Sequence, residues 1–222
     1  SQPRLRFLLG DEPGTGKTIM AAMYLAEGRR RGLVPGRALF VVPAHLVTKW
    51  ERDLKRFVGI EARVIDSRVA ADPADLDPRY DTWIVSLDLY SVNADVRRKV
   101  AGRQSTWSLV VFDEAHRLTP TSQLLGAARE VAGRTHHLLL MTATPHRGKE
   151  HYFRGLMNLL DDVAYPWDPG QKDYPHPLIP SQLSFLRRMK EDLVDHDGAP
   201  LFPARFSETL SVELEPAEAA AY

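Results

Sequence analysis

The chain has 222 residues, of which 44% are hydrophobic and 26% charged, so it can bury one sizeable core but is short for two complete ordinary domains. Lysine plus arginine and aspartate plus glutamate each total 29, which excludes the basic charge excess of a small nucleic-acid-binding module. The absence of cysteine excludes disulfides and thiolate metal sites and favours a reducing, cytoplasmic location, and no apolar run approaches the ~20 residues of a membrane span.

Short apolar runs alternate with longer helical patterns along the chain. The predicted strands cover residues 5–9, 38–42, 62–65, 83–86, 109–112 and 137–141. The predicted helices cover residues 17–30, 45–58, 93–101, 120–132 and 149–161, the fourth with Thr119 and Pro120 as its capping pair. This alternation predicts an α/β fold with a mostly parallel sheet and helices on both faces.

The remaining residues suggest how the chain is organised. We expect a core over residues 1–163 and, because residues 164–180 carry five prolines, an irregular surface excursion there. For residues 181–222 we predict a helix through FLRRMKEDL (185–193), capped by Ser181, and then a strand that leads toward a second lobe. The chain has no initiator methionine and its last residues stop inside a helix-like pattern, so we expect a piece of a longer protein.

The stretch GDEPGTGKT (10–18) raises a specific question. A strict phosphate-binding loop, G-x-x-x-x-G-K-[ST], requires glycine at position 11, where this chain has Asp11, and Gly10 lies one residue too early. Gly14 and Gly16 nevertheless let the backbone curl with its N–H groups inward, and Lys17 follows at the positive end of a helix. The alternative is a glycine turn that only joins strand to helix.

Two further motifs follow predicted strands. Asp113 and Glu114 begin the sequence DEAH, and an acidic pair at a strand end suits Mg²⁺ binding by the first carboxylate and orientation of an attacking water by the second. Thr142 and Thr144, in MTATP (141–145), have hydroxyls that can bond to neighbouring carboxylates. A solvated acidic strand end and an ordinary threonine-containing strand are the alternatives, but the order of the three motifs favours a nucleotide site.

Together these motifs resemble those of the Swi/Snf-type ATPases of helicase superfamily 2. The family variant of the loop, D-E-x-G-x-G-K-T, matches residues 11–18 position for position and accounts for Asp11. Residues 40–54, 84–91 and 139–161 resemble the family segments Ia, Ib and III. The TATPH sequence and the region around MKEDL resemble bacterial members, including the polymerase-recycling type and the DISARM phage-defence helicases, and we favour the DISARM-like branch.

The resemblance implies the first RecA-like lobe of an ATP-driven motor that uses Mg²⁺. It assigns ATP binding to Gly14, Thr15, Gly16, Lys17 and Thr18, and Mg²⁺ to Thr18 and Asp113, while catalysis falls to Glu114, Asp113 and Lys17. It also assigns a coupling role to four residues, which would link the nucleotide state to binding of the nucleic acid along which the motor moves. These are His116, Thr142, Ala143 and Thr144. Because the family's arginine finger belongs to a second lobe, we expect this lobe alone to hydrolyse ATP slowly.

The expected partners are duplex DNA, the second lobe of the same polypeptide and defence-system proteins. Candidate nucleic-acid contacts are Pro43, His45, Lys49, Ser86 and Arg188. Trp50 lies on an apolar helical stripe, so we predict core packing for it rather than base stacking. The alternatives are an RNA-directed DEAH-type helicase and, from another class, a recruitment module or nucleotide-gated switch. The lack of an N-K-x-D motif disfavours a GTPase.

Overall fold

The structure, a computed structural model, describes residues 4–102, 106–145 and 149–203. Its central feature is a seven-stranded, fully parallel sheet with strand order β3-β4-β2-β5-β6-β1-β7. The strands are β1 (Arg6–Leu9), β2 (Ala38–Val42), β3 (Arg63–Val64), β4 (Thr82–Ser86), β5 (Leu109–Phe112), β6 (His137–Met141) and β7 (Phe185–Leu186). The predicted α/β class with a parallel sheet is therefore confirmed.

Helices connect the strands. They are α1 (Lys17–Arg30), α2 (Val47–Val58), α3 (Ser67–Ala71), α4 (Leu87–Val92), α5 (Ala94–Ala101), α6 (Gln123–Ala132) and α7 (Glu150–Leu160). Short 3-10 turns cover Ala44–Leu46, Ala115–Arg117 and Lys190–Asp192. None of the described helices is both long and apolar enough to cross a membrane.

Both faces of the sheet are buried, which explains the continuous apolar strand sequences. Within β2, Leu39 and Val41 enter one core cluster, whereas Phe40 and Val42 enter the cluster on the opposite face, because successive side chains of a strand alternate. Helices α1 and α2 contribute to the second cluster, and α5, α6 and α7 to the first. Such two-sided burial is typical of parallel sheets.

Some predicted boundaries hold, but the cap assigned to the helix predicted over residues 120–132 is wrong. Helix α1 begins and ends at the predicted residues. Helix α6 begins later than predicted, at Gln123, because the Oγ atom of Ser122 accepts a hydrogen bond from the backbone N–H of Leu125 at 3.2 Å. Ser122 is therefore the N-cap, while Thr119 accepts the turn hydrogen bond that precedes the helix, from the N–H of Ser122.

The helix predicted over residues 185–193 is absent. Phe185 and Leu186 instead form β7, which pairs in parallel with Leu8 and Leu9 of β1. The aromatic rings of Phe185 and Phe153 pack with centroids 5.2 Å apart, so sheet pairing and packing override the local helical pattern.

The described residues fall into two compact units, one up to Arg188 and the other from Met189. The first holds the sheet, and its residues 164–180 contain no helix or strand. The second contains the 3-10 turn at Lys190–Asp192 and an isolated antiparallel bridge between Val194 and Pro200. The strand predicted toward the C-terminus falls on residues 204–222, which lie outside the described residues.

Candidate nucleotide-binding site

The three sequence motifs meet at one edge of the sheet. Strands β5, β6 and β1 are neighbours in that order, and their carboxyl ends lie level, with Leu9 opposite Met141 and Leu140 opposite Phe112. The loop after β1, the acidic pair after β5 and the threonine segment after β6 therefore converge. The crevice beyond the carboxyl ends of parallel strands is where α/β sheets bind ligands.

The loop after β1 has the backbone of a phosphate cradle. Gly14 and Gly16 have φ values of 81° and 87°, in the left-handed region that favours glycine. Beyond its chain neighbours, no described atom lies within 4 Å of the position that a Cβ of Gly16 would take. The Thr15 hydroxyl donates to the carbonyl of Glu12 at 2.7 Å. Helix α1 begins at Lys17, directly after the loop, and the first N–H groups of a helix have no intrahelical partner and attract anions.

Gly10 is explained by packing rather than by phosphate binding. A Cβ at Gly10 would lie 2.9 Å from Cε2 of Phe185, and the Gly10 N–H donates to the carbonyl of Leu186 at 2.7 Å. The glycine allows β7 to approach the end of β1. At the next position, the Asp11 side chain is fully buried and pairs with Arg188.

Lys17 lies at the centre of the site. Its Nζ donates to the carbonyl oxygens of Asp11 at 2.7 Å and Glu12 at 2.9 Å. Burial lowers the pKa of Lys17, and the nearby carboxylates of Glu114 and Asp113 act in the opposite direction. The ammonium group thus lies in the field of the two acids that follow β5.

Asp113 is fixed by hydrogen bonds to both carboxylate oxygens. Its Oδ1 accepts from the backbone N–H of Glu114 at 2.9 Å, and its Oδ2 accepts from the indole N–H of Trp50 at 3.0 Å. Asp113 is 7% exposed, and burial raises its pKa. Trp50 is itself buried in the core, as predicted, but its polar atom also orients this acid.

Glu114 is the one described non-glycine residue with positive φ, at 49°. Its Oε2 lies 3.1 Å from Nδ1 of His116. That contact, the largest cause, lowers the pKa of Glu114 below its usual value, so the carboxylate stays ionised at neutral pH. A strained backbone conformation at such a position is typical of functional sites.

His116 joins the acidic pair to the threonine segment. Its Nδ1 also lies 2.8 Å from Oγ1 of Thr142, and that hydroxyl oxygen accepts from the backbone N–H of Thr144 at 3.1 Å. Thr142 is fully buried, while Ala143 and Thr144 are progressively more exposed. A continuous polar path therefore runs from Glu114 to the exposed end of the threonine segment.

The residues present fit a magnesium nucleotide. The glycine cradle and helix start offer N–H donors to phosphate oxygens, and Lys17 adds a positive charge. Asp113 and the half-buried Thr18 supply the hard oxygen ligands that Mg²⁺ prefers.

The five candidate nucleic-acid residues have varied surroundings. Pro43 is buried and His45 is exposed. The Lys49 ammonium pairs with Asp53 at 2.6 Å, and the Ser86 hydroxyl caps α4 by accepting from the N–H of Leu89 at 3.1 Å. Arg188 lies outside any helix, contrary to the helix predicted over 185–193, and it pairs with buried Asp11. A nucleic-acid role for any of the five residues stays a prediction.

Sequence reasoning missed the polar roles of Trp50 and Arg188. The signal for Trp50 was general: a buried indole N–H usually finds an acceptor. The signal for Arg188 was an aspartate inside a loop beside buried strands, because a buried carboxylate needs a cationic partner.

The fold is that of a RecA-like lobe, and its glycine loop and acidic pair lie where such lobes have their ligand crevice. The sequence matches the SNF2-related domain over residues 3–166, and the chain belongs to that family. It is 37% identical over 165 residues to the RNA polymerase-associated protein RapA of Erwinia tasmaniensis and 32% identical over 161 residues to RapA of Pseudomonas aeruginosa. Each match covers 70% of this chain but only 17% of the relative's length.

Solved structures show the same fold. The Sulfolobus solfataricus SWI2/SNF2 ATPase core in complex with dsDNA matches with a TM-score of 0.61 and 16% identity, over 85% of this chain and 41% of that chain. The Pyrococcus furiosus Hef helicase domain matches with a TM-score of 0.58 and 20% identity, over 84% of this chain and 35% of that chain.

Proposed function

We propose that this chain is the ATP-binding and ATP-hydrolysing lobe of a nucleic-acid-dependent motor that acts on duplex DNA. The observation that carries the proposal is the convergence of Lys17, Asp113 and Glu114 beyond three adjacent parallel strands, with the Glu114 carboxylate held ionised by His116. An ionised acid beside a magnesium-binding aspartate and a phosphate loop suits hydrolysis by an activated water.

In the proposed reaction, the loop N–H groups and Lys17 bind the phosphates, and the ammonium group exchanges its two carbonyl acceptors for phosphate oxygens. Thr18 and Asp113 would hold Mg²⁺, which would supply positive charge against the phosphates. Glu114 orients the attacking water and accepts its proton, which requires the ionised form that His116 favours. Because its Nδ1 contacts both side chains, His116 would report the state of Glu114 to Thr142.

Duplex DNA as the track is supported by similarity to a SWI2/SNF2 core whose structure contains dsDNA. In this proposal the duplex DNA is contacted by Pro43, His45, Lys49 and Ser86. A second lobe of the same polypeptide would supply an arginine worth on the order of 10³ or more in rate, so the lobe alone is slow. The location we propose is cytoplasmic.

We consider two bacterial branches of the Swi/Snf-type ATPases for this chain. Similarity to RapA supports a polymerase-associated motor. The DISARM phage-defence branch, represented by the helicase DrmD, and its defence-system partners stay predictions from residues 142–146 and the region around MKEDL. Residue 146 lies outside the described residues.

ATP turnover by the full-length protein tests the proposal, measured in parallel without nucleic acid and with single-stranded DNA, duplex DNA and duplex RNA. We expect the largest stimulation from duplex DNA. Stimulation by duplex RNA alone would favour the RNA-directed helicase, because the 2′-hydroxyl distinguishes the two duplexes. An ATP turnover rate that none of the nucleic acids changes would favour the nucleotide-gated switch or recruitment module.

A further inference from the structure

The Asp11 carboxylate departs from the strict phosphate-loop pattern, although it matches the D-E-x-G-x-G-K-T variant. It occupies the position at which the strict loop pattern has glycine, and it is 0% exposed. A buried carboxylate is costly unless a cation and hydrogen-bond donors compensate it.

Arg188 provides that compensation. Its Nε donates to Oδ2 of Asp11 at 3.0 Å, its Nη2 donates to the same oxygen, and its backbone N–H donates to Oδ1 at 2.9 Å. Among the described residues, this is the one salt bridge that Asp11 makes. The backbone carbonyl of Arg188 also accepts from the N–H of Glu12 at 3.3 Å, so the contact extends along two consecutive loop residues.

The loop segment held by Arg188 is the segment that orients Lys17. The carbonyl oxygens of Asp11 and Glu12 accept the two hydrogen bonds from Lys17 Nζ, and the Glu12 carbonyl also accepts from the Thr15 hydroxyl. A displacement of these two peptide groups would therefore move the lysine and the glycine turn together.

We infer that Arg188 is a positioning residue of the nucleotide site, which acts by neutralising and holding Asp11. This inference rests on the proposed function, because it concerns how the loop binds a nucleotide. Arg188 is also the last residue of the first compact unit, so the chain continues from it toward Met189. The affinity of the loop for nucleotide thus depends on the contact between Arg188 and Asp11.

The test is equilibrium binding of a fluorescent ATP analogue with Mg²⁺ to the full-length protein, well below the melting temperature of each variant. Arg188→Met should raise Kd about tenfold or more, because it leaves the Asp11 charge buried and unpaired. Asp11→Asn combined with Arg188→Met should return Kd to within about threefold of the unsubstituted protein, because no buried charge remains. The neighbouring, exposed Arg187 offers the matched control, and Arg187→Met should leave Kd unchanged.

A normal Kd in the double variant would distinguish a positioning role from a direct contact between Arg188 and the nucleotide. Asp11→Asn removes the unpaired buried charge, but it could not restore a lost contact between Arg188 and the nucleotide. If Arg188→Met does not fold, the folded double variant still tests the inference, because a tenfold higher Kd in the double variant would overturn it. An unchanged Kd in Arg188→Met would overturn it as well. Failure of the proposed function is recognised separately, because then the unsubstituted protein would bind no nucleotide and Lys17→Ala would change nothing.

Discussion

The indole N–H of Trp50 lies 3.0 Å from Oδ2 of Asp113, which ties helix α2 to the acidic pair after β5. Trp50 is 1% exposed and its ring packs against Phe40 with centroids 5.0 Å apart. The same side chain therefore fills the core and orients the proposed magnesium ligand.

Trp50→Phe should keep most of the packing but lose the hydrogen bond to Asp113. We expect the free energy of unfolding to fall by about 2 kcal/mol and Kd for Mg-ATP to rise about fivefold or more, because a buried charged acceptor loses its donor. Denaturant unfolding and nucleotide titration check the two effects. Trp107→Phe is the control, since the buried indole of Trp107 donates to the carbonyl of Val100 at 2.7 Å. It should lose stability without weakening nucleotide binding; equal weakening would contradict the role of Trp50.

Thr142→Val should separate ATP hydrolysis from its stimulation by nucleic acid. The substitution removes the hydroxyl that contacts His116 and Thr144 but nearly preserves the shape of the side chain. We expect stimulation by DNA to fall about tenfold while basal turnover changes little, a size typical of coupling between sites. Thr135→Val is the matched control, because Thr135 is also buried and its hydroxyl donates to the carbonyl of Val131 at 2.8 Å. Intact stimulation in Thr142→Val would remove this residue from the coupling path.

His137 should make the stability of the lobe sensitive to acid. Its Nδ1 accepts from the backbone N–H of Leu5 and from the Tyr24 hydroxyl, both at 3.0 Å, so the ring proton is on Nε2, which faces the carbonyl of Leu33 at 2.9 Å. Burial, the largest cause, lowers the pKa of His137 below its unfolded value. Between the two pKa values the unfolded chain binds more protons, so the contribution to stability is present above the unfolded pKa and is lost as pH falls toward the folded one.

Denaturant unfolding at about pH 7.5 and at about pH 5.5 tests this expectation. The unsubstituted protein should lose more free energy of unfolding between these values than His137→Gln, which cannot titrate at this position. A loss of the same size in both proteins would show that His137 does not contribute.

The sequence predicted the parts of this lobe that depend on local patterns. Helix α1 begins and ends at the predicted residues, Lys17 and Arg30. The apolar runs at 38–42 and 109–112 are strands, as predicted, because a strand buried on both sheet faces has a continuous apolar sequence. The helix prediction for residues 185–193 was wrong because Leu186 has helical spacing from its apolar neighbours, although its backbone pairs with β1. A two-residue edge strand has too little pattern of its own to be recognised.

The site divides in the same way. Lys17, Asp113 and Glu114 were found from motifs, since each lies at the end of a buried strand or the start of a helix. The contacts of Trp50 with Asp113 and of Arg188 with Asp11 join residues 63 and 177 positions apart, and no local period encodes such distances. They follow from the rule that buried polar groups need partners, but that rule does not identify the partner.

The central claim is tested most directly by comparing nucleotide binding with ATP turnover in Lys17→Ala and Glu114→Gln of the full-length protein. We expect Lys17→Ala to lose Mg-ATP affinity, and Glu114→Gln to bind Mg-ATP normally while turnover falls about 100-fold or more. The control is Glu27→Gln, on the exposed end of α1, which should change neither quantity. Normal turnover by Glu114→Gln would contradict the assignment of the base, and normal binding by Lys17→Ala would contradict the phosphate site itself.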